Sequence, residues 1–120
     1  MVVLLDSNII IDFFANKKPA VEEISKYDNI CVSIISYIEV MIGLSREERV
    51  LAQKFFNNTE ICWLDQSIAN EAIHLRDKHR IKLPDALILA TAVAKNLRLL
   101  TRDEASIFKN HPNVRYPYKI

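Results

Sequence analysis

Apolar residues follow two rhythms along this 120-residue chain. Short continuous runs at 2–5, 30–33, 61–64 and 97–101 have the length and the Val/Ile/Leu content of strands buried on both faces. The segment 114–116 predicts a last strand. Between these runs lie helical patterns with recognisable ends. Ser7 is placed to N-cap a short helix reaching Phe14, and Pro19 suits the first turn of a helix over 20–27. Ser45-Arg46-Glu47-Glu48 has the form of a capping box opening a helix to about Asn57. Asp65 can cap another helix running to about Arg80; a long one follows over 84–96 and a short one over 104–109. Strands alternating with helices predict an α/β fold, with a central, mostly parallel sheet covered by helices on both faces. No repeat, low-complexity tract or long linker divides the chain, so residues 1–120 are expected to form a single domain.

Two helices carry more information than the others. The segment 34–44 is apolar nearly all round, whereas a surface helix needs one apolar face only. Such a helix is either wholly buried or part of an interface, and in a domain of this size the interface is the favoured reading. The segment 86–94 is equally apolar but rich in alanine, which suits close packing against the sheet.

Against this frame the acids stand out. Asp6 closes the first strand, Glu39 follows the second, Asp85 comes directly after Pro84 at the head of an apolar helix, and Asp103 follows the fourth strand. Each has a structural explanation taken alone. Asp6 can simply end a strand, and Glu39 can complete a capping box begun by Ser36. Asp85 gains from the helix dipole, and Asp103 can be an N-cap. Together, however, all four project to the edge where the carboxyl ends of parallel strands gather and ligands bind. Carboxylates collected there repel one another unless a hard cation such as Mg²⁺ or Mn²⁺ holds them. That chemistry points to metal-assisted hydrolysis, most naturally of a phosphodiester.

Composition narrows the choice. The chain has one glycine, Gly43, which removes the P-loop and the dinucleotide fingerprint. Any phosphate must then be handled by metal and side chains. Net charge is +1, with six Lys/Arg against ten Asp/Glu in residues 1–70 and ten against five in 71–120. The densest basic tract, 76–82, is read equally well as a solvated helix end and as part of a nucleic-acid surface. Cys31 and Cys62 show no metal spacing and are expected to be buried, reduced thiols. His74 and His79 are five apart, on different helix faces, and make no zinc pair. Trp63 is expected in the core, and Asp12 is expected to face solvent or cap a neighbour, outside the site. No apolar stretch spans a membrane and no basic segment precedes the first one, so no signal peptide is read and a cytoplasmic location is expected.

Four segments in order resemble the PIN domain, in particular the VapC toxins of toxin–antitoxin pairs. They are Leu4-Leu5-Asp6-Ser7-Asn8-Ile9-Ile10-Ile11-Asp12, Ser33-Ile34-Ile35-Ser36-Tyr37-Ile38-Glu39-Val40, Leu83-Pro84-Asp85-Ala86-Leu87-Ile88-Leu89-Ala90-Thr91-Ala92, and Leu100-Thr101-Arg102-Asp103 followed by Phe108. The departures are small: Ser7 stands where threonine is commoner but keeps the hydroxyl, and Leu89 stands where a small residue is usual. The resemblance implies a three-layer PIN-like fold and a Mg²⁺- or Mn²⁺-dependent ribonuclease, often specific for a structured RNA such as tRNA. It also implies a homodimer and a VapB-type antitoxin that threads a segment across the acidic pocket. Asp6 and Asp85 would be the main metal ligands, with Glu39 and Asp103 completing the set and orienting water. Ser7, Thr101, Arg102, Arg80 and Lys82 would position ligand or RNA. Rival readings are a catalytically silent PIN-like interaction module and an RNA-processing nuclease without antitoxin. A phosphoacceptor receiver domain fits poorly, because Asp6-Ser7-Asn8 has one acid where that domain needs a pair, and Thr101-Arg102-Asp103 lacks its lysine.

Overall fold

The computed structural model describes residues 2–103 and 111–119. The expected helix at 104–109, and Phe108 with it, lie outside the described residues. Five strands form one sheet: β1 (Val2–Leu5), β2 (Asn29–Ser33), β3 (Glu60–Cys62), β4 (Arg98–Leu100) and β5 (Val114–Arg115). Their order is β3-β2-β1-β4-β5 and every pairing is parallel, as the alternation of strands and helices requires. The helices are α1 (Ser7–Phe14), α2 (Lys18–Ile24), α3 (Ile34–Ile42), α4 (Arg46–Phe56), α5 (Gln66–His79) and α6 (Leu83–Ala94).

The period of two along β1 sorts the core into two halves. Leu4 points to one face, where it joins Ile68, Ala72 and Leu75 of α5 and the buried side of α6. Val3 and Leu5 point to the other face, with Ile9 and Ile10 of α1, Val40 of α3 and Phe56 of α4. This is the expected three-layer arrangement. Its alanine-rich helix α6 is the more deeply set, with Ala86, Ala90 and Ala92 fully buried.

Local cap chemistry accounts for most element boundaries. Ser45 and Glu48 form the expected reciprocal capping box at the start of α4. Asp65 caps α5 by accepting the Ile68 N–H at 2.9 Å. Two caps differ from expectation. Asp6, not Ser7, is the N-cap of α1, its Oδ1 accepting the Ser7 N–H at 2.8 Å. Ser33 caps α3 by accepting the Ile35 N–H at 3.1 Å, so the helix is already under way at Ser36 and no Ser36–Glu39 box forms.

Two further expectations are corrected. β3 is an edge strand, and its register ends at the Ser33–Cys62 pair, where β2 itself turns into α3. With no ladder to continue, Trp63 leaves the sheet and is 68% exposed rather than in the core. Asp12 does not face solvent: it is only 1% exposed. The cysteines are buried and free, as expected, on neighbouring strands. Burial pushes the Cys31 thiol up to about 12, with Cys62 and Glu60 adding to the effect, which disfavours a reactive thiolate.

Helix α3 is half in and half out. Ser36 and Val40 are buried, while Ile38 and Ile42 are exposed. Beside them, Tyr37 and Met41 of α3 and Val50 of α4 line an open apolar trough of about 740 Å³.

Candidate active site

All five strands run the same way, so their carboxyl ends share one edge. β1 lies at the centre, and Asp6 follows it directly. Thr101 to Asp103 leave the adjacent β4, and α3 springs from β2 on the other side. Asp85 lies in the first turn of α6. Glu39 does not head its helix as expected; it sits about a turn and a half inside α3 and reaches the site from there.

Asp6 is 7% exposed, and its carboxylate is held from both sides. Oδ1 takes the Ser7 N–H at 2.8 Å, and Oδ2 takes the Thr101 hydroxyl at 2.7 Å. The Thr101 hydroxyl oxygen in turn accepts the Asn8 amide at 3.2 Å and the Asp103 N–H at 3.2 Å. Ser7 Oγ donates to Glu39 Oε1 at 3.3 Å. One hydroxyl therefore links Asp6 to the segment of Asp103, and the other links α1 to Glu39.

The electrostatics tie the four acids together. Burial raises the Asp6 carboxyl; the Thr101 and Ser7 hydrogen bonds oppose this, and the charges of Asp85 and Asp103 reinforce it. Burial also raises Glu39, with Asp6 and then Asp85 adding to it against the Ser7 hydrogen bond. Asp85 is raised by burial first and Asp103 second, with Lys82 pulling the other way. Asp6, Glu39 and Asp85 thus each feel other acids of the set, although only Asp6 is buried and Glu39 is exposed, so water screens much of the repulsion.

A donor set made only of carboxylate and hydroxyl oxygens fits a hard divalent cation rather than zinc or copper. Among the described residues no group of three or more His, Cys, Asp or Glu side chains stands close enough together to hold a metal ion.

The basic residues divide. Lys82 is the N-cap residue of α6, exposed beside Asp85, and Arg80 is the exposed, left-handed C-cap of α5. Arg76, Lys78 and His79 occupy the last turn of α5, where positive charge complements the helix dipole. Arg102 is held by Asp12, with Nε to Oδ2 at 2.5 Å and Nη2 to Oδ1 at 3.2 Å.

Sequence reasoning missed Asn8 and Asp12. Asn8 holds the site's frame by its bond to Thr101 and by accepting the Arg102 N–H at 3.3 Å. The available signal was their spacing: two polar residues one turn apart in the otherwise apolar stretch Asn8-Ile9-Ile10-Ile11-Asp12-Phe13-Phe14.

Comparison with known proteins agrees with this geometry. The sequence profile of the PIN domain family matches residues 3–113. A search of curated proteins gives no significant match. Among solved structures, a chain of a toxin–antitoxin complex from Klebsiella pneumoniae is 33% identical, with a TM-score of 0.91 over 98% of this chain and 99% of that one. A chain of DNA-bound VapBC from Salmonella typhimurium is 21% identical, with a TM-score of 0.81 over 96% of each chain. A chain of VapBC2 from Rickettsia felis, bound to a promoter DNA fragment, is 23% identical, with a TM-score of 0.79 over 95% of this chain and 96% of that one. The resemblance carried by the four motifs is thereby borne out, and the chain belongs to the PIN domain family.

Proposed function

We propose that this chain is a Mg²⁺- or Mn²⁺-dependent endoribonuclease and the toxin of a toxin–antitoxin pair, acting in the cytoplasm. The observation that supports the reading is geometric: at the carboxyl edge of the sheet Ser7 joins Glu39 to Asp6, and the Thr101 hydroxyl joins Asp6 to the Asp103 N–H. A bound cation would offset the repulsion among Asp6, Glu39 and Asp85 and so stabilise the fold. Asp6 and Asp85 are the main ligands in this reading, and Glu39 and Asp103 complete the set. Held there, a divalent cation would supply acidified water and charge stabilisation at the scissile phosphate.

The protein's own residues do the rest. Thr101 and the Ser7 N–H fix both oxygens of Asp6, so its carboxylate is oriented before any ligand arrives. Ser7 Oγ holds Glu39, the acid on the opposite wall. Arg80 and Lys82 are exposed where α5 gives way to α6, and in this reading they meet the RNA backbone. A mechanism that takes its nucleophile from water leaves the ribose 2′-hydroxyl unused, so the products are a 3′-hydroxyl and a 5′-phosphate.

The toxin reading is supported by the Klebsiella pneumoniae toxin–antitoxin complex, whose matched chain has nearly the same length and fold. On this reading a VapB-type antitoxin restrains the acidic pocket. The exposed apolar side of α3, Ile38 and Ile42, is covered by a second copy of the chain. Among the described residues no helix is long and apolar enough to cross a membrane.

The test is cleavage of total RNA by the purified, antitoxin-free protein with Mg²⁺, followed by sequencing from 5′-phosphate ends. A few sites that vanish with EDTA and with Asp6→Asn are expected, tRNA being the first place to look. If Asp6→Asn cuts as well as the wild type, the four-carboxylate mechanism is wrong.

A further inference from the structure

The segment that carries Asp103 is gripped from α1 and its N-cap at two successive residues, Thr101 and Arg102. Thr101 is held by Asp6 through its hydroxyl at 2.7 Å. Arg102 is held twice: its N–H goes to Asn8 Oδ1 at 3.3 Å, and its guanidinium goes to both oxygens of Asp12 at 2.5 and 3.2 Å. The Asp103 N–H then returns to the Thr101 hydroxyl at 3.2 Å. Asn8 and Asp12 are one turn apart on the same helix that Asp6 caps. Asp12 is almost fully buried and also accepts the Tyr118 hydroxyl at 2.9 Å, with Lys17 Nζ at 4.0 Å.

A buried carboxylate facing an arginine fork fixes direction as well as distance, because two parallel N–H groups meet two oxygens. Arg102 thereby commits two of its three guanidinium nitrogens to Asp12. Its place between Thr101 and Asp103 makes it the strut on which the last acid of the pocket hangs.

We propose that Asp12 and Arg102 are positioning residues whose ion pair sets the placement of Asp103 relative to Asp6, and that Arg102 makes no contact with the RNA backbone. The inference rests on the four-carboxylate reading above. It replaces the expectation from sequence that Arg102 positions RNA.

The test measures Mn²⁺ affinity by calorimetry, RNA affinity against salt, and urea stability. The proteins are the wild type, Asp12→Asn, Arg102→Gln, Arg102→Lys and the double variant Asp12→Asn/Arg102→Gln. Groups that orient metal ligands from behind are worth roughly 10–100-fold in metal affinity. Each single variant is expected to lose about tenfold, and the double variant no more than either single one, since both break the same contact. Arg102→Lys keeps the charge but not the fork and should not rescue the loss. The slope of log affinity for RNA against log salt should stay at the wild-type value in Arg102→Gln, where loss of a phosphate contact lowers it by about 0.7–0.9.

Wild-type Mn²⁺ affinity in folded Asp12→Asn and Arg102→Gln would overturn the inference and leave a purely structural ion pair. A reduced salt slope confined to the Arg102 variants would overturn it in favour of a phosphate contact. Should Asp12→Asn fail to fold, Arg102→Gln, at a side chain 34% exposed, decides the question alone; if neither folds, the pair is structural and the inference falls. A wild-type protein that binds no Mn²⁺ removes the four-carboxylate reading itself, an outcome distinct from a metal-binding wild type with unaffected variants.

Discussion

Asp85→Asn gives the sharpest test of the acidic pocket, because it should stabilise the protein while abolishing the response to metal. Asp85 lies half-buried at the head of α6, its carboxyl raised by burial and by Asp103 against the pull of Lys82. A carboxyl whose folded pKa exceeds its unfolded one favours folding when protonated. That advantage is fully present below the ordinary carboxylate range near ~4 and is lost as pH rises through the raised value. At neutral pH the ionised group is therefore a burden on the fold. Two carboxylates ~6 Å apart repel by ~3 kcal/mol at an effective dielectric of 20 and by ~0.7 kcal/mol in water. Partial exposure places Asp85 towards the lower figure, so about 1 kcal/mol is expected from removing its charge. For a domain of this size that is a rise of roughly 3–6 °C in melting temperature at pH 7 without metal. The gap should close as pH falls towards 4, where the wild-type carboxyl is also neutral. Mn²⁺ at ten times its dissociation constant should stabilise the wild type by about 1.4 kcal/mol and leave the variant almost unmoved. Melting curves followed by circular dichroism between pH 4 and 8, with and without millimolar Mn²⁺ at constant ionic strength, measure both effects. A variant that melts no higher than wild type at pH 7 and still responds fully to Mn²⁺ refutes the shared site.

Phe56→Ala should cost about 3–5 kcal/mol, read as a lowered urea midpoint at unchanged slope. Phe56 is fully buried and its ring meets Phe14, Tyr37 and Phe55. Ile42→Lys, at a side chain 72% exposed, should leave the melting temperature within a few degrees of wild type while lowering the mass seen by light scattering. An unchanged oligomeric mass would remove this end of α3 from the dimer contact. Arg80→Gly should raise stability by up to about 1 kcal/mol, since Arg80 holds a left-handed φ of 55° that glycine adopts without strain. The same change should weaken RNA binding and lower its salt slope, and unchanged RNA affinity would take Arg80 out of the binding surface.

How much of this was legible in the sequence depends on how far each side chain reaches for its partner. Asp65 bonds an amide three residues ahead, and Ser45 and Glu48 bond each other's backbone within one turn. Such contacts are written in adjacent letters, so the starts of α4 and α5 were read correctly. The strand runs were equally local, and the parallel sheet followed from their alternation with helices. Trp63 was misread because its surroundings depend on where the ladder between β2 and β3 stops, which no property of 61–64 announces.

Glu39 lies between these cases. Its place in a functional set was inferred, but its neighbour was not. A helix begun at Ser36 makes Glu39 a capping residue, whereas a helix capped by Ser33 carries it inward and turns it towards Ser7, 32 residues away in sequence. Asp12 is the far extreme, since its guanidinium partner lies 90 residues on and its phenol partner 106. Read locally, a lone acid among isoleucines and phenylalanines suggests a solvent-facing stripe, because a buried charge without a partner is too costly to propose. The partner exists only once β4 is laid beside β1, which brings the residues after Leu100 alongside the start of α1. The strand pairing that gathers Asp6 and Asp103 at one edge thus also makes Asp12 a buried ion. Sequence motifs reveal the first consequence, because the pocket needs those acids at the strand ends. Both Asp12 and Arg102 stand within the matching segments, yet the motifs do not announce the contact between them, which exists only in the folded pairing.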